Sequence, residues 1–239
     1  MEHCELVVLY HDLIGEQGVL VRGYSPTHGF LSLQSYDLPL RERRYLYPLA
    51  LLEITFTPPT DASRLASLLR IEGAHVQHLL QTDLLRHCIA LFITDVLSQI
   101  LVNYPPEDAM GSFIRYYIDL LSSQAERVVY LPHRFLLDLS VLLGYTPSGE
   151  YTPTTTRLHL ETGCFLPPPA LENDLVLNDD ASRVCDRLLK RDYDHPILQH
   201  LDQEQRNDLL RSLLRYLSLH LALPLSSRCI DILHTMLHQ

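Results

Sequence analysis

The sequence predicts an α+β protein, with a small N-terminal β barrel over residues 1–80 and a mainly α-helical domain over 81–239. Three observations predict it. Up to about Glu72 the chain consists of short apolar runs cut by turn residues. After about Asp83 these give way to long stretches with apolar residues at helical spacing. The 46% content of hydrophobic residues in 239 is enough to fill a core in each part.

The strands come first. "CELVVLY" is rich in β-formers, "GVLVRGY" follows a turn marked by Gly15 and Gly18, and "GFLSLQSY" alternates apolar and polar residues as a half-buried strand does. "LALLEITF" is a fourth run, ended by "TPPTD". "LASLLRIEGA" fits either a fifth strand or a short helix, because "SRLASLLRI" also satisfies a helical period. Five strands joined by Gly and Pro turns favour a closed barrel, in which no strand edge is left unpaired.

The helices follow. "DLLRHCIALFITDVLSQIL" and "EDAMGSFIRYYIDLLSS" flank the breaker "NYPP", and "LPHRFLLDLSVLLG" is stopped by Gly144 with Pro147 beyond it. Leu209, Leu210, Leu213, Leu214, Leu217 and Leu221 repeat at helical spacing, and "SSRCIDILHTML" reads as a closing helix. Between these lies a Thr- and Pro-rich stretch in which "RLHLETGCF", near 157–166, reads as a small β hairpin turning at Thr162 and Gly163, or as a surface loop pinned by Cys164 and Phe165.

Charge limits the possible partners. The formal net charge is −10, so the average field repels a polyanion and any contact with nucleic acid is local. Against that background "PLRERRYLYPLALLEITF" places Arg41, Arg43 and Arg44 within four positions, just ahead of a strand. Guanidinium groups fork onto phosphate oxygens without reading bases, and Tyr45 and Tyr47 alongside offer rings for stacking. If the segment is extended, strand parity points Arg43, Tyr45 and Tyr47 the same way. The plainer reading is a solvated loop in which Glu42 pairs one arginine.

Other constellations carry less. His75 and His78 have i,i+3 spacing, and Asp192, Asp194 and His195 lie close together, but neither set has a third ligand at a metal-binding interval. Asp174, Asp179 and Asp180 form a magnesium site only if they converge; more simply, acids and Ser182 open the helix beginning near Ala181. His220, among leucines, reads as a core or interface histidine. The scattered Cys4, Cys88, Cys164, Cys185 and Cys229 form no CxxC pair, which fits free thiols in a reducing compartment. Phosphate-loop, dinucleotide, zincin and hydrolase-elbow motifs are absent from the sequence. No signal peptide and no span of about 20 uncharged apolar residues is read, so the expected location is the cytoplasm. Near the C-terminus Arg211 and Arg215 are four apart beside a leucine stripe, with Arg206 close to that row, so they form either a rim for an acidic peptide or an ordinary solvated face.

In order, these pieces resemble the DNA repair protein RecO family, in the form found in Bacteroidetes-like bacteria. "LVVLYHDLIGEQGVLVRGYSPTHGFLSLQ" is similar to that family's first strands, "PLALLEITF" to the strand after its basic loop, and "IALFITDVLSQIL" to its first long helix. "LHLETGCF" resembles its mid-domain hairpin, and "RNDLLRSLLRYLSLHL" with "SSRCIDILHTML" its last two helices. The resemblance covers nearly the whole chain, although each piece alone is hydrophobic and unspecific.

The resemblance implies an OB-fold barrel followed by a helical domain, and a non-enzymatic recombination mediator with no cofactor and no metal. Such proteins bind single- and double-stranded DNA and anneal complementary strands. With RecR they load RecA onto DNA coated by single-stranded-DNA-binding protein, whose acidic C-terminal tail the helical domain binds. By position, the resemblance assigns DNA binding to Arg22, Arg41, Arg43 and Arg44, with Arg64 as a lesser candidate, and Tyr45 joins them as the adjacent stacking ring. It assigns tail binding to Arg206, Arg211 and Arg215, and a nucleoid-associated location. Two departures stand out: the zinc-binding cysteines of some members have no counterpart here, and Lys190 is the chain's only lysine, which implies few phosphate contacts and weak intrinsic affinity. The alternatives are an interaction scaffold of the same pathway with little DNA binding, or a small cytosolic hydrolase around Asp192, Asp194 and His195.

Overall fold

The computed structural model describes residues 1–15, 18–59, 65–75, 77–123, 128–169, 175–227 and 229–230. They fall into two compact units, Met1–Ala125 and Glu126–Gln239.

The first unit opens with strands β1 (Glu2–Ile14), β2 (Gly18–Ser25) and β3 (Gly29–Ser35), joined as antiparallel neighbours. A single helical turn, α1 (Leu40–Arg43), leads to β4 (Leu51–Thr57) and β5 (Leu65–His75). The order β1-β2-β3-β5-β4 closes on itself, with β4 pairing β1 and a short parallel contact between β3 and β5. This is an OB-fold barrel, with a mostly helical region following it as the sequence predicted.

Strand parity fills the barrel with Leu6, Val8, Val21, Leu33, Ile54 and Phe56. The run over 65–75 is a strand, although its buried residues Ala66, Leu68 and Ile71 are not evenly spaced. Two register shifts against β4 explain the spacing: Phe56 faces Leu68 while Thr55 faces Arg70, so Leu69 is an extra residue, and Glu72 is extra at the second shift. Another shift in β1 skips Leu9 and brings Tyr10 opposite Arg22.

Helices α2 (His78–Thr82), α3 (Leu84–Leu101) and α4 (Asp108–Ser122) belong to the same unit. Asp83 caps α3 by accepting the Arg86 N–H at 3.2 Å. By length and composition α3 is apolar enough to cross a membrane, but Ile89, Phe92, Ile93, Val96 and Leu97 are fully buried in this unit. It packs on β1, where Leu6 to Leu9 are buried on both sides of the strand.

The second unit contains α5 (Leu131–Leu142), the hairpin β6 (Arg157–His159) and β7 (Cys164–Leu166), α6 (Asp179–Leu189) and α7 (Gln203–Leu221). The hairpin turns at Gly163, whose φ of 69° suits glycine. His220 binds the Leu160 carbonyl at 3.0 Å and lies 4.3 Å from the Tyr216 ring, tying α7 to that hairpin. A capping box between Asp202 and Gln205 starts α7, and α5 packs along it. Most of the expected closing helix, 226–237, lies outside the described residues.

Candidate nucleic-acid interface

The arginine cluster lies in the segment that joins β3 to β4 and packs against the barrel core. Leu38 and Leu46 reach into the barrel core, with Tyr45 and Tyr47 packed against it. Leu49 and Ala50 are buried where the segment enters β4. The polar residues between these anchors are divided by the helical turn. Arg41 projects into solvent with 82% of its side chain exposed, 3.9 Å from a Glu42 that is only 14% exposed. Arg44 is also exposed and lies over the Tyr45 ring at 4.8 Å, with its Nη2 donating to the Tyr45 hydroxyl at 2.7 Å.

Arg43 differs. It is half-buried and its Nε donates to the Leu38 carbonyl at 3.2 Å. Because residues 40–43 are helical rather than extended, the strand-parity grouping of Arg43 with Tyr45 and Tyr47 does not apply. The i,i+3 spacing of the turn instead brings Arg41 and Arg44 to one side.

Those two arginines, Glu42 and Tyr45 form one wall of a groove of about 250 Å³, and Ile71, Glu72, Gly73 and Ala74 of β5 form the other. Glu72 is held as a carboxylate. A hydrogen bond from Thr55 (2.7 Å) and then those from Arg70 (2.8 and 2.6 Å) lower its pKa from the ordinary value. Arg70 thus answers the acid of β5 and leaves Arg41 and Arg44 as the groove's outward cations. A larger groove of about 420 Å³ in the same unit is lined by Glu5, Glu53 and Asp119 with Arg115. Glu5 and Glu53 are directly opposed across β1 and β4, and Arg115 pairs with Glu5, so phosphate is disfavoured there.

Arg22 does not line the arginine groove. It stands on the outward face of β2, opposite Tyr10 of β1 and Ser32 of β3. Its guanidinium lies over the Tyr10 ring at 4.9 Å and donates to the Tyr10 hydroxyl. Arg22 is therefore a site of positive charge on the barrel separate from the Arg41–Arg44 turn. Arg64 lies outside the described residues.

In the second unit Arg211 and Arg215 are exposed on one face of α7, where Arg211 pairs with Asp208 at 3.4 Å. Arg206 is not brought to that face. At 3.6 residues per turn it sits roughly 140° round the helix from Arg211. It is half-buried, its Nη1 donates to the Leu201 carbonyl at 2.6 Å, and its own carbonyl accepts from His133 Nε2 at 2.7 Å. Lys190 is engaged as well, by buried Asp186 at 2.9 Å and Glu150 at 3.3 Å.

Several of the remaining sequence candidates have structural partners. His75 ends β5 and His78 starts α2, so they do not share a helix. His195 caps a short 3-10 turn by accepting the Ile197 N–H at 3.2 Å, and Asp192 pairs with Arg187 at 3.5 Å. Asp179 accepts from the Tyr151 hydroxyl at 2.9 Å in the first turn of α6; Asp174 lies outside the described residues. Among the described residues no group of three or more His, Cys, Asp or Glu is placed to hold a metal. Sequence reasoning passed over Arg70, whose outward position depends on the β5 bulges, and Tyr36, which continues the outward alternation of Ser32 and Gln34.

No family model matches the chain, and no curated protein matches it.

Proposed function

We propose that the protein binds DNA through its barrel and acts as a non-enzymatic recombination mediator of the RecO type, annealing complementary strands. With RecR it would load RecA onto DNA coated by single-stranded-DNA-binding protein. The observation that carries this reading is the pairing of Arg41 and Arg44 on one helical turn, anchored by Leu38 and Leu46 at a groove of an otherwise acidic protein. Two guanidinium groups held this way grip phosphates and leave bases free to pair, which is what annealing requires. The helical unit then serves protein partners, with Arg211 and Arg215 of α7 offered to the acidic tail of the coating protein. The proposed place of action is the cytoplasm, at the nucleoid.

A second reading, a scaffold of the same pathway with little DNA binding of its own, is favoured by one feature: Glu42 and Glu72 line the same groove as the two arginines. Annealing of complementary oligonucleotides separates the two readings. The mediator accelerates annealing without ATP, and the Arg41→Glu/Arg44→Glu variant does not. Annealing at the spontaneous rate, or substantial ATP hydrolysis by the purified protein, contradicts it.

A further inference from the structure

We infer that the outward face of β1, β2 and β3 carries a stacking subsite for an unpaired base, with Tyr36 as the platform and Arg22 as the nearby phosphate contact. The inference rests on the DNA-binding reading above and gives it a strand preference.

The face is laid out in cross-strand rows. Tyr10, Arg22 and Ser32 form the first row; Asp12, Leu20 and Gln34 form the second. In the third, Ile14 pairs with Gly18, and Tyr36, two residues beyond Gln34, leans across onto it. A Cβ at Gly18 would stand 3.0 Å from both Cδ1 and Cε1 of Tyr36, so the ring rests against the backbone in space that a side chain would fill. Tyr36 nevertheless remains 58% exposed. An aromatic ring supported by backbone on one side and open to water on the other has the form of a stacking platform.

Arg22 and Tyr10 divide the remaining work. The Tyr10 ring is covered by the Arg22 guanidinium and its hydroxyl accepts from it, so Tyr10 is a positioning residue that holds the cation above the sheet. Four residues of strand separate the Tyr10 row from the Gly18 row, roughly 13 Å at about 3.3 Å per residue. A single strand that stacks a base on Tyr36 therefore reaches Arg22 with a neighbouring phosphate. Asp12, on β1 in the row between, repels a backbone laid along β1 and leaves Leu20 of β2 and Gln34 of β3 as the path from Tyr36 to Arg22. In a duplex the bases are already stacked on each other, so the subsite selects single strands.

The protein contains no tryptophan, so Tyr36→Trp introduces the only indole. Titration with a 30-nucleotide oligothymidylate should quench that indole. Tyr36→Leu should weaken binding to the same strand by about tenfold, within the range for losing one stacked base, and leave duplex affinity unchanged. Its thermal unfolding should match wild type, since the ring is exposed. An unquenched indole, or a Tyr36→Leu variant that binds the single strand as wild type does, overturns the subsite. If Arg41→Glu/Arg44→Glu still abolishes binding in that case, the DNA-binding reading stands without the subsite. Failure of the wild-type protein to bind either strand form overturns both.

Discussion

The hydroxyl of Tyr24, in barrel strand β2, accepts the backbone N–H of Glu107 at 3.0 Å and lies 3.1 Å from the Pro105 carbonyl, to which it donates. Glu107 is the N-cap of α4, so one buried hydroxyl serves both the barrel wall and the start of a helix. Burial raises the Tyr24 pKa above the ordinary phenol value, and the hydroxyl therefore stays protonated. Tyr24→Phe leaves the Glu107 N–H and the Pro105 carbonyl without their partner, at a cost of about 1–3 kcal/mol. Urea unfolding of the two proteins measures it, and an unchanged midpoint contradicts the role given to this bond.

Gly111, inside α4, tests the same contact by shape. A Cβ there would meet Pro26 Cγ at 2.5 Å, and the proline ring has no rotamer by which to withdraw. Alanine gains about 1 kcal/mol of helix propensity, whereas forcing apart packed groups costs about 1–3 kcal/mol. The clash dominates, so Gly111→Ala should lower the melting temperature. A rise would show that α4 can shift away from the turn at Pro26.

His133 in the second unit should make stability depend on acid. Burial, first, and the Arg206 charge lower its pKa to about 4 from 6.5, and the hydrogen bond to the Arg206 carbonyl opposes this only in part. The fold holds the neutral ring, so its contribution is complete above about pH 6.5 and is lost as pH falls toward 4. The loss is on the order of 3 kcal/mol over that window. Chemical denaturation of wild type and His133→Gln at several pH values isolates it. Parallel curves for the two proteins would refute the assignment.

The α7 arginines should separate by role. Arg206→Ala removes the bond to the Leu201 carbonyl and should destabilise by about 1–2 kcal/mol. Arg211→Ala and Arg215→Ala, on the exposed face, should stay within about 0.5 kcal/mol of wild type. On the proposed function, only the latter two should weaken capture of an acidic C-terminal peptide, as read by calorimetry.

The barrel is legible because β2, β3 and β4 follow simple parity and β1 is a run of β-formers, and α3, α4, α5 and α7 because each carries a long helical period with a cap or breaker. The fifth strand was ambiguous for a physical reason. Its bulges space Leu68 and Ile71 three apart, and a helix spaces apolar residues in the same way. The exposed arginines were visible as a cluster, but their division was not. That depends on Leu38 and Leu46 anchoring the segment and on a helical turn that sends Arg43 inward. Arg206 is close to Arg211 in sequence, whereas the helix turns it toward His133 and Leu201. Tyr36 is not legible from the sequence because the placing of its ring depends on Gly18, at the start of β2.

The most direct test of the central claim is fluorescence anisotropy of a labelled 30-nucleotide single strand across a salt series. It compares wild type with Arg41→Glu/Arg44→Glu, with Arg43 left intact because it ties the segment to Leu38. Wild type should bind with an affinity that falls with salt along a shallow slope, one that reflects only a few neutralised phosphates, and the variant should lose that binding. Equal binding by the two proteins at every salt concentration would contradict the account and reduce the arginine turn to a solvated surface.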